Sequence, residues 1–126
     1  MIERIFSSNN YDASKRLLDV AVLRQQAIAS NIGNIETPGF KRVDLPKDFQ
    51  SVFTAALNAS KAATAPKAEL VQDNESPAQR KDGNNVVLQK ELMSMNKNVA
   101  EYEALTEFVS GTIRTLRMAI IGRAQS

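Results

Sequence analysis

Residues 86–121 read VVLQKELMSMNKNVAEYEALTEFVSGTIRTLRMAII, and this stretch decides the fold. From Leu88 onward, side chains recur in alternating steps of four and three: Leu88, Leu92, Met95, Val99, Tyr102, Thr106, Val109, Ile113, Leu116 and Ile120. Only Thr106 among them is polar. An a/d seam sustained over more than four heptads marks a helix that lies along other helices. No proline interrupts it, and Gly111 costs about 1 kcal/mol against alanine. A helix of this span is roughly 50 Å long.

The same helix carries a second stripe. Met93, Ala100, Ala104, Phe108, Gly111 and Met118 cluster roughly 140° from the seam at 100° per residue. Ala100, Ala104 and Gly111 let another backbone approach closely. A hairpin uses one apolar face per helix, so a helix with two faces asks for more neighbours. The plain alternative is that Met93 and Phe108 are ordinary, singly exposed apolar residues.

Working outward, Asp12 to Asn34 reads as a second amphipathic helix, capped at Asp12 or Ser14. Its stripe is Ser14, Leu18, Ala21, Gln25, Ile28, Ile32 and Ile35, widened by Leu17, Val20, Leu23 and Ala27. Before it, Ile2, Ile5 and Phe6 fit one docking helical turn. After it comes a dense stop, Asn31-Ile32-Gly33-Asn34-Ile35-Glu36-Thr37-Pro38-Gly39-Phe40-Lys41-Arg42. Gly33 and Asn34 are both able to take the left-handed conformation that closes a helix. Thr37-Pro38-Gly39-Phe40 fits a type II turn that throws the chain back, so that Phe40 packs on the helix it has left. The amides of Asn31 and Asn34 are free to bond the turn backbone or a neighbouring molecule.

Residues 43–85 carry a weaker signal. Phe49, Val52, Phe53 and Leu57 suit a short amphipathic helix, and the remainder is polar, turn-rich and expected to be mobile. A structureless loop of this length is uncommon inside a compact domain. Asp82-Gly83-Asn84-Asn85 precedes the long helix, with Asn84 or Asn85 suited to its N-cap and Glu91 to its dipole. Asp82, Asn84 and Asn85 look like fragments of a calcium loop, but the other ligand positions and the terminal Glu are missing.

Composition removes several chemistries. The chain has 126 residues, 16 Lys and Arg, 14 Asp and Glu, and neither Cys nor His. Thiolate nucleophiles, zinc-thiolate sites and imidazole bases are therefore excluded. Acids and bases interleave, so there is no basic face for nucleic acid. No apolar run reads as a signal peptide or a membrane span, which by itself points to the cytoplasm or to export without a cleaved signal. The expected fold is all-α: two long terminal helices packed as an antiparallel coiled-coil-like hairpin, with a poorly ordered or extended middle. The expected segments are 1–42, 43–85 and 86–126, with both ends forming one structural domain. No cofactor, metal or catalytic residue is expected.

The Asn31–Arg42 motif resembles the signature near the N-terminus of bacterial flagellar rod, hook and hook-associated proteins. Asp82-Gly83-Asn84-Asn85-Val86, followed by a long helix whose seam centres on Tyr102, is similar to the C-terminal half of the proximal rod family, FlgB. The resemblance covers about residues 12–48 and 80–123. Gly33 stands where the family often has Ala, and Phe40 where it often has Tyr. The short chain fits the proximal member, since hook and distal rod proteins insert large outer domains.

The resemblance implies a non-catalytic subunit, exported unfolded through the flagellar type III apparatus. Such subunits polymerise into a helical, torque-transmitting rod whose inner coiled-coil layer is made by the terminal helices. It implies contacts with the MS-ring and export gate, the FliE adaptor and the next rod protein, FlgC. It assigns Asn31, Asn34, Thr37, Pro38, Gly39 and Phe40 to the turn that anchors the helix pair, and both stripes to packing. The competing expectations are another axial rod component, a cytoplasmic helical adaptor or export chaperone, a nucleic-acid-binding hairpin and an enzyme.

Overall fold

A computed structural model describes residues 9–125. The docking turn expected at Ile2, Ile5 and Phe6 lies outside the described residues. In chain order the elements are helix α1 (Asn9–Gly33), strand β1 (Val43–Asp44), helix α2 (Phe49–Asn58), a 3₁₀ turn (Ala62–Thr64), strand β2 (Val71–Gln72) and helix α3 (Leu88–Gln125). The fold is all-α, with two long terminal helices.

Helices α1 and α3 run antiparallel. Asn31 bonds Glu91, Arg24 bonds Glu101, and Asn98 bonds the carbonyl of Ala21, so rising numbers on one helix meet falling numbers on the other. Helix α3 has 38 residues against 25 in α1, so its far end runs past the described start of its partner. Helix α2 and the 3₁₀ turn pack across the first half of α1. Ala13, Phe53 and Ala62 are buried there, with Leu17, Phe49 and Leu57 against them, and the Phe49 and Phe53 rings stack at 5.8 Å. The two strands form a minimal antiparallel pair, Val43 opposite Gln72 and Asp44 opposite Val71. The middle segment is thus partly ordered, with short elements joined by extended chain.

The end of α1 departs from the expected closure. Gly39 and Gly83 are the glycines with positive φ, at 71° and 92°, and neither Gly33 nor Asn34 joins them. The helix instead unwinds through consecutive right-handed turns. Asn34 N–H donates to the Ser30 carbonyl, Ile35 N–H to Ile32 and Thr37 N–H to Asn34. The Asn34 side chain donates to the Ser30 carbonyl as well, satisfying an acceptor that a left-handed closure would otherwise serve. The Thr37–Phe40 turn does form. Phe40 N–H donates to the Thr37 carbonyl at 3.3 Å, and Gly39 takes the positive φ that a type II turn requires.

Candidate functional site

The four largest fully buried side chains are all polar: Glu91, Asn31, Asn84 and Asn85. They lie where the end of α1 meets the start of α3, and together with Arg42 they form a latch. Asn31, from the last turns of α1, pairs with β1 as a strand would. Its Nδ2 donates to the Val43 carbonyl at 2.9 Å, and Val43 N–H donates to its Oδ1 at 2.8 Å. The same Nδ2 reaches Glu91 Oε2 at 3.2 Å.

Arg42 sits at the hub. Its guanidinium donates to Glu91 at 3.0 Å, Asp73 at 2.7 Å and Asp44 at 3.1 Å. Burial by itself would lower the Arg42 pKa, but hydrogen bonds to Asp73 and Glu91, with the charges of Glu91 and Asp44, raise it instead. Asp73 is held well below the usual carboxylate range. The Ser76 hydroxyl is the largest cause, followed by Arg42 and the backbone N–H groups of Ser76 and Glu75. Burial opposes these bonds and loses.

Asn84 and Asn85 do not cap α3, which starts at Leu88. They tie together the segments on either side of the long helix's entry. Asn84 Nδ2 donates to the carbonyls of Asn34, Ile35 and Thr37, gathering the turn after α1, while its Oδ1 accepts from Val86 N–H. Asn85 Nδ2 donates to the Asp73 and Ser76 carbonyls, and its Oδ1 accepts from Arg42 N–H. Lys41 Nζ donates to the Gly83 carbonyl at 2.6 Å. The bonds run both ways, Asn84 donating to the carbonyls after α1 while Lys41 and Arg42 donate to Gly83 and Asn85. The Asn-Ile-Gly-Asn and Asp-Gly-Asn-Asn stretches close on each other over more than forty residues of chain.

The remaining turn residues are more open. Asn34 and Phe40 are half-buried, while Thr37, Pro38 and Gly39 are exposed. Thr37 Oγ1 donates to Asn34 Oδ1 at 3.1 Å.

Beyond the latch, the contact between the helices follows an unexpected row. Helix α3 meets α1 along the heptad row next to the seam, at Glu91 and Asn98, and the row continues through Leu105, Thr112 and Ala119. Glu91 and Asn98 are buried and the other three half-buried. Asn98 Nδ2 donates to the Ala21 carbonyl and to Gln25, and its Oδ1 has no partner among the described residues. Arg24 and Glu101 pair at 2.9 Å beside it.

The seam itself points elsewhere. Leu88, Leu92, Val99, Tyr102 and Ile113 keep between 40% and 46% of their surface, and Ile120 keeps 55%. Met95 and Val109 are half-buried, and Leu116 alone is buried, at 6%. Helical geometry gives the rows a slow drift. A row repeating every seven residues turns by about 20° per heptad on a straight helix. The inner seam row (Leu88, Met95, Tyr102, Val109, Leu116) therefore drifts toward the side of the helix on which Glu91 and Asn98 sit.

On α1, Ala21 and Ile28 are buried, and Leu18 and Ile32 half-buried. In the second stripe Met93 and Met118 keep 72% and 66% of their surface and Phe108 keeps 48%. Ala100 and Ala104 are exposed, and a Cβ built at Gly111 would meet nothing within 4 Å. Both stripes are thus largely open in the single chain.

Sequence reasoning missed Arg42, Asp73 and Asn98, and it placed Asn84, Asn85 and Glu91 in other roles. A detectable signal was present: Glu91, Asn98 and Thr112 are polar residues at heptad spacing directly beside an apolar seam.

No family model matches the sequence. Among curated proteins, the chain is 31% identical over 115 residues to the flagellar basal body rod protein FlgB of Aeromonas hydrophila, covering 83% of this chain and 87% of that protein. It is 28% identical over 116 residues to FlgB of Aquifex aeolicus, covering 88% and 92%. Against FlgB of Bacillus subtilis it is 28% identical over 116 residues, covering 83% and 88%.

Proposed function

The chain belongs to the FlgB family of flagellar basal body rod proteins, and from that membership we propose that it is a structural subunit of the rod that assembles through its terminal helices. The observation that carries this reading is the open seam of α3. An apolar stripe along a long helix, largely exposed among the described residues, gains its burial from other chains. The polar latch makes the opposite contribution. It fixes α1 against α3 through hydrogen bonds and leaves the apolar surface for neighbours.

In this reading Asn31, Asn34, Thr37, Pro38, Gly39 and Phe40 hold the helix pair. The seam of α3 and the Leu18, Ala21, Ile28 and Ile32 stripe of α1 are packing surfaces. Both chain ends make one structural unit, and residues 43–85 brace it. The role is structural, with no chemistry to perform. We assign the subunit to the periplasmic, proximal part of the rod, exported without a cleaved signal, a reading that the family resemblance supports. Its neighbours there would be further copies, FlgC, the FliE adaptor and the MS-ring and export-gate end. Among the described residues no helix is long and apolar enough to cross a membrane.

Val109→Asp tests the reading. Val109 is half-buried on the seam, so the isolated chain keeps its helical circular dichroism while a charge enters the assembly surface. The expected result is loss of swimming, with the variant absent from isolated basal bodies. Normal motility with Val109→Asp in the rod would overturn it.

A further inference from the structure

A groove of about 730 Å³ runs along the hairpin. Its floor is α1, at Val20, Arg24 and Ile28. One wall is α3, at Lys97, Glu101 and Ala104. The other wall is Leu45, Pro46 and Phe49, which lead from β1 into α2. At 100° per residue, Lys97, Glu101 and Ala104 stand on the side of α3 opposite the seam. The subunit thus carries an apolar row on one side and a groove on the other. Helix α1 of the same chain leaves that row clear, because Val99 is turned about 100° from Asn98, where α1 is bonded.

Row and groove are complementary in charge. Between Lys97 and Arg114, α3 carries Glu101, Glu103 and Glu107 and no base. Glu101 faces the groove of its own chain and pairs with Arg24. Glu103 and Glu107 flank the outer seam row, Val99, Thr106 and Ile113, on one side, and Tyr102 and Val109 flank it on the other. Both acids are exposed, and neither makes an ion pair among the described residues. The groove offers a counterpart to each flank. Lys97 is exposed on one wall, and its own contact to Glu101 is long, at 3.9 Å. The opposite wall is apolar at Leu45, Pro46 and Phe49, and Lys47 beside them is already paired with Glu75. An acidic flank therefore has a base to meet, and an apolar flank has an apolar wall.

We propose that, in the rod, the outer seam row of one copy's α3 lies in the groove of the next copy over residues 99–113. Glu103 then meets the neighbour's Lys97, and Tyr102 meets its apolar wall. Such a contact is heterologous, since one patch seats on a different patch. Row and groove face opposite ways, so every contact leaves a free row at one end and a free groove at the other. Copies then add in an open series and do not close as a pair. This inference rests on the rod assignment and names the surfaces that meet within it.

The sequence has no cysteine, so introduced thiols report alone. A chain carrying both Lys97→Cys and Glu103→Cys places one thiol on each surface. Mild oxidation of isolated basal bodies is expected to link it into a ladder that extends beyond the dimer. Either single variant stays unlinked, and the two single variants expressed together give a mixed dimer. Both positions are exposed, and swimming verifies entry into the rod. Lys97→Glu or Glu103→Lys is expected to lower the amount of chain in basal bodies about tenfold, and the two changes in one chain to restore it. A doubly substituted cysteine chain that enters the rod and stays unlinked overturns the proposal and leaves the rod assignment standing. So does a charge exchange that restores nothing. A wild-type chain absent from basal bodies overturns the rod assignment and this inference with it.

Discussion

The two ends of the α1–α3 contact are built on opposite chemistry. Around Asn31, Arg42, Asn84, Asn85 and Glu91 the chain seals polar groups against itself. Farther along α3 it leaves Val99, Tyr102, Ile113 and Ile120 open to its surroundings. In a free-standing domain the apolar residues would be inside. Here hydrogen bonds, which are directional, fix one geometry between the chain ends, and apolar area, which is not, stays available to other molecules. The difference teaches that the intramolecular fold is specified by the latch, with the seam left over for assembly.

Removing the latch's buried acid should have the largest effect on the single chain. Glu91 is 1% exposed and is shared by Arg42 and Asn31. Glu91→Ala removes one of three carboxylates from Arg42 and an acceptor from Asn31, two bonds together worth about 3 kcal/mol. Urea denaturation measures it. Glu91→Gln keeps an acceptor for Asn31 and should cost less, about 2 kcal/mol. Equal losses would mean that the whole cost comes from the lost charge beside Arg42 and that the bond from Asn31 contributes nothing.

Next comes Asn84→Ala, which takes the donor from three turn carbonyls and should cost about 2–3 kcal/mol. Hydrogen exchange should then speed up across residues 34–40 before it does in the middle of α1. Gly39→Val should cost about 1–2 kcal/mol, because a branched side chain resists positive φ. A Cβ there would sit 3.5 Å from the Asp82 carbonyl, an ordinary contact, so this cost is backbone strain and not collision.

Acid should release the same end of the molecule. Asp73 is depressed by Ser76 and Arg42, so its contribution is complete above the ordinary carboxylate pKa of about 3.9 and is lost as pH falls below that toward its folded value. A melting series from neutral pH downward should therefore hold steady to about pH 4 and then fall. Ser76→Ala raises the folded pKa of Asp73 toward the ordinary value, so that fall should become smaller and end at a higher pH. A profile unchanged by Ser76→Ala would remove Asp73 from the latch.

These sites also mark the limit of what sequence pattern reveals. The two long helices were legible because apolar spacing reports helix directly, and the Thr37–Phe40 turn because Pro and Gly occupy the positions a type II turn demands. The partnership between Asn84 and the turn after α1 was not. An Asn before a helix has a ready local explanation as a cap, and nothing in spacing shows that its amide reaches carbonyls some fifty positions away. Arg42 was hidden for a related reason. It follows the turn as one charge among many, and its value arises only when Asp44, Asp73 and Glu91 converge on it. The seam misled more subtly. Its regularity suggested the face toward α1, whereas α1 lies against the neighbouring row of Glu91 and Asn98, which leaves much of the seam to one side.

The smallest expected effect bears hardest on the comparison. Leu92 keeps 40% of its surface and Tyr102 keeps 44%. Leu92→Ala or Tyr102→Ala should move the stability of the isolated chain by about 0.5 kcal/mol or less, as for other exposed substitutions. A buried leucine in a packed core would lose about 2–5 kcal/mol. A loss of that size at Leu92 would mean that the seam serves the chain's own interior, and the contrast between its two ends would vanish. A near-zero loss in urea, joined to poor recovery of the variant in basal bodies, would separate the residues that fold the subunit from those that join it to others.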